Sequence, residues 1–415
     1  MRSDIILFVF NLLLYIIAFF KNRTRSITSI GSVIFLFYSI LALMSVVMVS
    51  CETNTNHSYS FFALLYLYVC ILISYRPLSI IGNREISVAP PKKASLDYLL
   101  FFIVISSVIR FPEIISNFSN VINGFLLDSS LFYDTYNTSM ESYKEVQTKS
   151  SYNWYNIILS MFDTYIPFLL MYYLTLANKK KWIIGGLIIG LIMAPMYGLI
   201  HAQRGALVNS ILSCIIAYSL FKDTFPSRVN KIIKIIGSSF IIGVVLLLSM
   251  ITISRFNQSF MEEGNVQRSV YIYTGQSMVN FGEYGFDTGG IRYGDRTVPL
   301  LKRLFISNGA YDYAHRMVKY HYLKLTEGLF STYVGDFVVD YGPLLAFIII
   351  LLMSIVFYRM IYTRARNIPL YKLLAAYILA YIMICGWNLY PFADFGGNRS
   401  LLVGFVLFFY FKHFH

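Results

Sequence analysis

Charge is scarce in this chain, and negative charge is scarcest. Only 13% of its 415 residues are Asp, Glu, Lys or Arg, with 21 acids against 34 bases. A soluble domain carries about a quarter charged residues, so a soluble fold is excluded. Cysteine is also rare. Cys51, Cys70, Cys214 and Cys385 lie mostly inside apolar stretches, at no metal or disulfide spacing. Neither a metal nor a cofactor is expected. A small-residue cleavage site is missing after the first apolar block, 5–20, which therefore reads as a retained helix and not a signal peptide.

What is abundant is apolar side chain, 57% of the residues, gathered into blocks. Each block is roughly twenty residues long, the length that crosses a bilayer as helix. Lipid offers no partner for free backbone groups, so the blocks must be helical. The expectation is an all-α polytopic membrane helix bundle, a single integral membrane domain over 1–415. About eleven transmembrane helices fit the pattern: near 4–20, 28–50, 60–80, 97–111, 153–177, 182–200, 203–221, 235–254, 332–357, 372–389 and 400–411.

The connections alternate in basic content. Lys21, Arg23 and Arg25 follow the first span, and Arg76, Arg84, Lys92 and Lys93 the third. Lys179, Lys180 and Lys181 follow the fifth, Lys222, Arg228, Lys231 and Lys234 the seventh, and Arg359, Arg364, Arg366 and Lys372 the ninth. The positive-inside rule then puts the N-terminus outside and the C-terminus inside, and accounts for part of the +13 net charge. Two outer loops are long, 111–152 and 255–330. The second, between the eighth and ninth spans, is expected to contain short helices. It carries Arg255, Arg268, Arg292, Arg296, Lys302, Arg303, Arg316, Lys319 and Lys324, so it is basic for a reason other than topology. The cytoplasmic side holds only the acids Glu85, Asp97 and Asp223. That excludes an enzyme using a cytosolic nucleotide sugar and assigns any chemistry to the outer face. A basic, aromatic segment can bind nucleic acid, but an outer loop meets none.

Four constellations could carry chemistry. Arg204, in the turn His201-Ala-Gln-Arg204-Gly-Ala, is either an interfacial arginine that snorkels or a clamp for a lipid-linked phosphate, which a guanidinium binds through two oxygens. The large loop interleaves Tyr271, Tyr273, Phe281, Tyr284, Phe286 and Tyr293 with glycines, which suits sugar rings or an aromatic belt at the membrane surface. Asp336 and Asp340 are four apart and share a helix face at the mouth of the ninth span. They serve as general base or as helix-terminal charge; they form no Asp-X-Asp pair and no metal site. Asp163 is an intramembrane acid with Arg204 as a plausible partner, and Asp394 lies beside Arg399. His315 and His321 stand alone in a basic stretch.

The run of spans, the large loop between the eighth and ninth, the Gln203-Arg204-Gly205-Ala206-Leu207 turn and the stretch Thr332-Tyr333 … Asp336-Phe337 … Asp340-Tyr341-Gly342 together resemble the bacterial oligosaccharide repeat-unit polymerases, the Wzy family of O-antigen and capsule assembly. Here Tyr341 stands between the acid and Gly342, and Pro343 replaces the family's usual small residue. The resemblance covers most of the chain. It implies a metal-independent glycosyltransferase of the bacterial cytoplasmic (inner) membrane, acting on polyprenyl-diphosphate-linked oligosaccharides, with membrane lipids and a chain-length regulator as further partners. It implies transfer of a growing glycan from its carrier to the terminal sugar of a new lipid-linked unit. Arg204, Arg255 and Arg296 would contact the diphosphate. Arg268, Arg303, Asp340 and Tyr273 would complete the substrate-binding set, and Asp336 or His321 would serve the acceptor hydroxyl as catalytic base. A lipid-linked oligosaccharide flippase, from the transporter class, and an O-antigen ligase-like transferase are the competing readings.

Overall fold

The computed structural model describes residues 3–23, 28–51, 57–82, 86–127, 154–201, 203–258, 266–306 and 309–415. These are mostly helical. Among the described residues seven helices are long and apolar enough to cross a membrane: Asp4–Asn22, Ile30–Cys51, Lys93–Asn123, Lys181–Ile200, Arg204–Thr224, Ser227–Ser249 and Thr332–Ile361. Phe61–Tyr75 and Leu370–Cys385 are shorter apolar helices. Only 6% of the Ser227–Ser249 window is buried inside the protein, and Ile235, Ile236, Ile242 and Leu246 are all exposed on it. Such a surface is ruinous in water and ordinary in lipid. The chain is a membrane-embedded, all-α protein.

By contacts the chain divides into two compact units, 1–85 with 267–408 and 86–266 with 409–415. In the first, Leu370–Cys385 is the hub. It is buried on every side from Leu373 to Ala380, which is the pattern of a helix wholly enclosed by others. It packs against Ile30–Cys51, Phe61–Tyr75 and Thr332–Ile361. The Tyr38 hydroxyl donates to its Met383 carbonyl at 2.8 Å, and beside it Tyr333 of Thr332–Ile361 meets Ser74 of Phe61–Tyr75 at 2.9 Å. Val266–Tyr284 reaches Ile30–Cys51 at Gly275, where an added Cβ would lie 2.7 Å from the Met44 carbonyl oxygen. Phe8, Met48, Val49, Leu64 and Val279 form a second apolar cluster there.

In the other unit Lys93–Leu127 packs along Lys181–Ile200, and Arg204–Phe221 joins them through Leu199, Leu207 and Val244. Two expectations change here. The fourth span is the middle of a longer helix that passes 111, takes in Pro112 and runs to Leu127; residues 128–153 of the first long loop lie outside the described residues. The fifth span is broken into Trp154–Ser160, a short 3₁₀ turn Asp163–Tyr165, and Ile166–Tyr173. Pro167 sits in the first turn of the last piece, where its missing N–H is harmless; further inside a helix it would break the ladder. Asp163, for which Arg204 was the expected partner, receives both terminal nitrogens of Arg110, at 2.8 and 2.6 Å.

Candidate functional site

Thr332–Ile361 is one apolar stretch but two helices. Gly342 has φ +77 and ψ 162, and Pro343 follows it. A proline cannot donate, so the carbonyl four residues earlier loses its helical partner. That carbonyl belongs to Val339, and the Arg292 N–H takes it at 2.9 Å. The Tyr66 hydroxyl donates to the Pro343 carbonyl at 2.6 Å. The helix break thus creates the socket that fixes the Arg292 backbone. Gly294, with φ +81, completes the turn; a Cβ there would lie 2.7 Å from the Tyr341 hydroxyl.

From that socket the Arg292 side chain reaches three carboxylates. Nη1 donates to Glu327 at 2.5 Å and Nη2 to Asp336 at 3.1 Å, while Nε lies 2.7 Å from Asp340 as an ion pair outside hydrogen-bond angles. The expected sharing of a face by Asp336 and Asp340 is what lets one guanidinium touch both. Arg316 adds a second cation: Nε is 3.0 Å from Glu327, Nη2 donates to Asp394 at 2.6 Å and Nη1 to the Tyr311 carbonyl at 2.8 Å. Arg296 is the third, and the loosest. Its Nη1 lies 3.4 Å from Glu327 and 3.5 Å from Asp336, and its Nε has no partner. Arg292, Arg296, Arg316, Glu327, Asp336 and Asp340 are all buried. The six therefore balance as three cations against three anions.

Backbone amides and hydroxyls hold the carboxylates from behind. Tyr390 N–H donates to Asp336 Oδ2 at 2.6 Å; the Thr297 N–H and hydroxyl both donate to Asp340 Oδ2, at 2.8 and 2.7 Å. Asp295 anchors the adjoining surface segment by receiving Lys302, Lys319 at 3.1 Å and the Tyr320 hydroxyl at 2.6 Å. Among the described residues the non-glycine positions with positive φ are Tyr293, Thr332 and Asp394, and all three border this cluster. A β-branched residue at φ +70, as Thr332 is, costs energy that surrounding contacts must offset. Here the Thr332 and Ser331 amides both bond the Asn388 carbonyl, and the Asp394 amide bonds the Arg296 carbonyl at 2.9 Å.

The charges reinforce one another. Burial disfavours the charged form of Arg292, but Asp340, Glu327 and Asp336 overcome it and raise its pKa above the ordinary arginine value. Burial pushes Glu327 up, yet Arg296, Arg292 and Arg316 pull it down to about 2. Burial likewise opposes the charge on Asp295, and Lys302, Tyr320 and Lys319 lower its pKa. Among the described residues no three His, Cys, Asp or Glu side chains converge as metal ligands; the carboxylates are turned onto guanidiniums.

Of the residues singled out from the sequence, the fold brings Arg296, Asp336 and Asp340 together. Tyr273 packs edge-on against Phe330 and Trp387, at 5.4 and 5.5 Å between ring centres. Arg303 lies over the Phe395 ring. Arg268 is exposed on the first turn of Val266–Tyr284. His321 is exposed, its Nδ1 on the Val318 carbonyl at 2.9 Å and not on the cluster. Arg204 opens the Arg204–Phe221 helix in the other compact unit. The side chain of Arg255 lies outside the described residues. Asp394, expected beside Arg399, pairs with Arg316. Sequence reasoning missed Glu327 altogether and counted Arg292 and Arg316 only as loop charge. The run Gly289-Gly290-Ile-Arg292-Tyr-Gly294 was the available signal, since glycines on both sides of an arginine free its backbone to enter a tight socket.

Comparison with protein-family models, with curated proteins and with solved structures finds no match.

Proposed function

We propose that the chain polymerises lipid-linked oligosaccharide repeat units on the outer face of a bacterial cytoplasmic membrane, with about eleven spans, the N-terminus outside and the C-terminus inside. The observation that carries the reading is Arg296. It is a buried guanidinium whose ion-pair contacts are 3.4 and 3.5 Å and whose Nε has no hydrogen-bond partner. Beside it are Arg292 and Arg316, whose nitrogens each lie within 3.1 Å of an oxygen although their Nε atoms make ion pairs and no hydrogen bond. A buried cation held this loosely has donors left for an anionic oxygen, and a diphosphate presents several.

In the reaction the acceptor hydroxyl oxygen bonds to the anomeric carbon of the growing glycan. The bond from that carbon to the carrier diphosphate breaks, and its electron pair leaves with the polyprenyl diphosphate. Arg296 faces the charge that develops on the leaving group, which is where fixed donors accelerate most. The acceptor proton passes to Asp336 Oδ1, the carboxylate oxygen with the longest ion-pair contacts in the cluster, 3.1 Å to Arg292 and 3.5 Å to Arg296. Arg292 and Arg316 hold the framework, and Tyr273 offers a ring for a pyranose face.

The test is the polysaccharide gel profile of a host strain. With Arg296→Ala the ladder of long chains is expected to collapse to single repeat units, with the protein still inserted. Arg296→Lys is expected to behave the same way, since it keeps charge and loses the planar fork. A normal ladder in both variants removes Arg296 from the reaction. A second reading, transport of the lipid-linked unit, is favoured by the broken helix at Gly342–Pro343, because transporters place substrate groups at such breaks. It separates cleanly: loss of even the single-unit product in the deletion strain points to a flippase or a ligase and not a polymerase.

A further inference from the structure

The segment that roofs the charge cluster carries an apolar surface that the fold does not use. In the short helix Pro299–Arg303 and the residues after it, Leu301, Leu304, Phe305 and Ile306 are exposed, Leu304 at 73% and Phe305 at 86%. In and just after Tyr313–Lys319, Val318 is exposed at 76% and Tyr322 is exposed. These are values found on the lipid-facing sides of the spans, where Leu344 is 77% exposed, yet they lie outside every helix long enough to cross. The two pieces belong to one surface. Asp295 receives Lys302 from the first and Lys319 from the second, and the Tyr311 hydroxyl donates to the Ile306 carbonyl. On Tyr313–Lys319 the opposite side is committed to the interior, with Arg316 in the cluster and Tyr320 and Leu323 buried.

The charge on this surface has one sign. Between 299 and 322 the sole acid is Asp312, and it is turned onto the His315 ring and backbone amide. Arg303, Lys319 and His321 are exposed among the apolar residues. Apolar side chains interspersed with bases are the composition of segments that lie in the headgroup–acyl boundary of a bilayer, and anionic headgroups attract the bases. We propose that the surface formed by 299–306 and 313–322 rests on an anionic lipid surface, with Leu304, Phe305 and Val318 inserted below the headgroups. A protein already threaded through the bilayer loses little freedom in docking such a flap, so modest apolar area is sufficient. The charge cluster would then sit directly above the membrane surface, roofed by a lipid-anchored element and not by free loop.

Spin labels test this in nanodiscs containing anionic lipid. The full chain carries Cys51→Ser, to remove the exposed native cysteine, and Phe305→Cys or Val318→Cys. Collision with oxygen, which concentrates in lipid, is compared with collision with a neutral nickel chelate, which stays in water. The oxygen-to-nickel ratio at both positions is expected to be severalfold above that of a label at Asn178→Cys, in an exposed turn, and to approach that of Ile236→Cys on a lipid-facing helix. A ratio equal to that at Asn178 would show the surface in water and overturn the proposal. Low collision with both reagents would show protein covering it, such as a second copy of this chain, and would overturn it equally. A second measurement needs no substitution: hydrogen exchange of the 299–306 amides in the wild-type protein should slow severalfold when zwitterionic nanodiscs are replaced by anionic ones. Unchanged exchange contradicts the lipid contact.

Discussion

Each compact unit pairs an arginine with a carboxylate, and the two do it differently. Arg110 and Asp163 form a closed bidentate pair, two nitrogens on two oxygens at 2.8 and 2.6 Å. The Arg292 cluster is open. Three guanidiniums share three buried carboxylates, Arg316 also takes the more exposed Asp394, and one cation, Arg296, is left with contacts of 3.4 and 3.5 Å. Backbone differs too. Positive-φ residues and a Gly-Pro helix break surround the cluster, whereas Arg110 and Asp163 sit on a helix and a short 3₁₀ turn. A closed pair satisfies itself and stabilises packing. An open network held in strained backbone keeps donors in reserve, which is what a binding site needs and a staple does not.

The comparison is broken most severely at Arg292. Arg292→Ala removes the one side chain that touches Glu327, Asp336 and Asp340, and strands buried negative charge. Taking one partner from a buried pair costs about 3–5 kcal/mol, so this variant is expected to lose most of its monodisperse, thermally stable protein in detergent. Retention of wild-type thermal stability would mean that the cluster is not structurally shared.

Acid probes the same network without mutation. Glu327 has its folded pKa lowered to about 2, against an ordinary value of 4.5. A lowered folded pKa contributes stability that is present above pH 4.5 and is lost as pH falls toward 2. The full contribution is on the order of 3 kcal/mol. Thermal stability should therefore fall across that window, and Glu327→Gln should flatten the fall while lowering stability at neutral pH. An equal acid response in the variant would assign the titration elsewhere.

Backbone strain makes a smaller difference. At Gly342 the nearest atom to an added Cβ is Ile291 Cγ2 at 3.9 Å, so Gly342→Ala has room and tests φ alone. With φ +77 and ψ 162, Gly342 occupies a region that is essentially glycine's alone and costs an L-residue about 1–3 kcal/mol, and the expected loss is of that size, measured by thermal or denaturant unfolding. The smallest effect is expected at the closed pair. A double-mutant cycle of Arg110→Leu and Asp163→Leu should give a coupling of roughly 1 kcal/mol for this half-exposed pair. The double variant should be more stable than either single one, and the polysaccharide profile should not change. A changed profile would make Arg110–Asp163 part of the working site and erase the contrast between the two regions.

The sequence by itself determined the class of protein and much of its helical layout. Runs of apolar residues have no alternative to helix in lipid, and that constraint acts locally, so 28–50, 182–200 and 203–221 are close to the observed Ile30–Cys51, Lys181–Ile200 and Arg204–Phe221. The spacing of Asp336 and Asp340 was equally local, and both do reach Arg292 from one face. Local pattern failed where proline acted in context: Pro112 lies within a continuing helix while Pro167 begins a new one. Only the tertiary structure decided which charges meet. Arg110 reaches Asp163 across 53 residues, Arg316 reaches Asp394 across 78, and Glu327 joins Arg292 across 35. Ion pairs are chosen by distance in space and by the desolvation that burial imposes, and neither quantity is written into the spacing of residues along the chain.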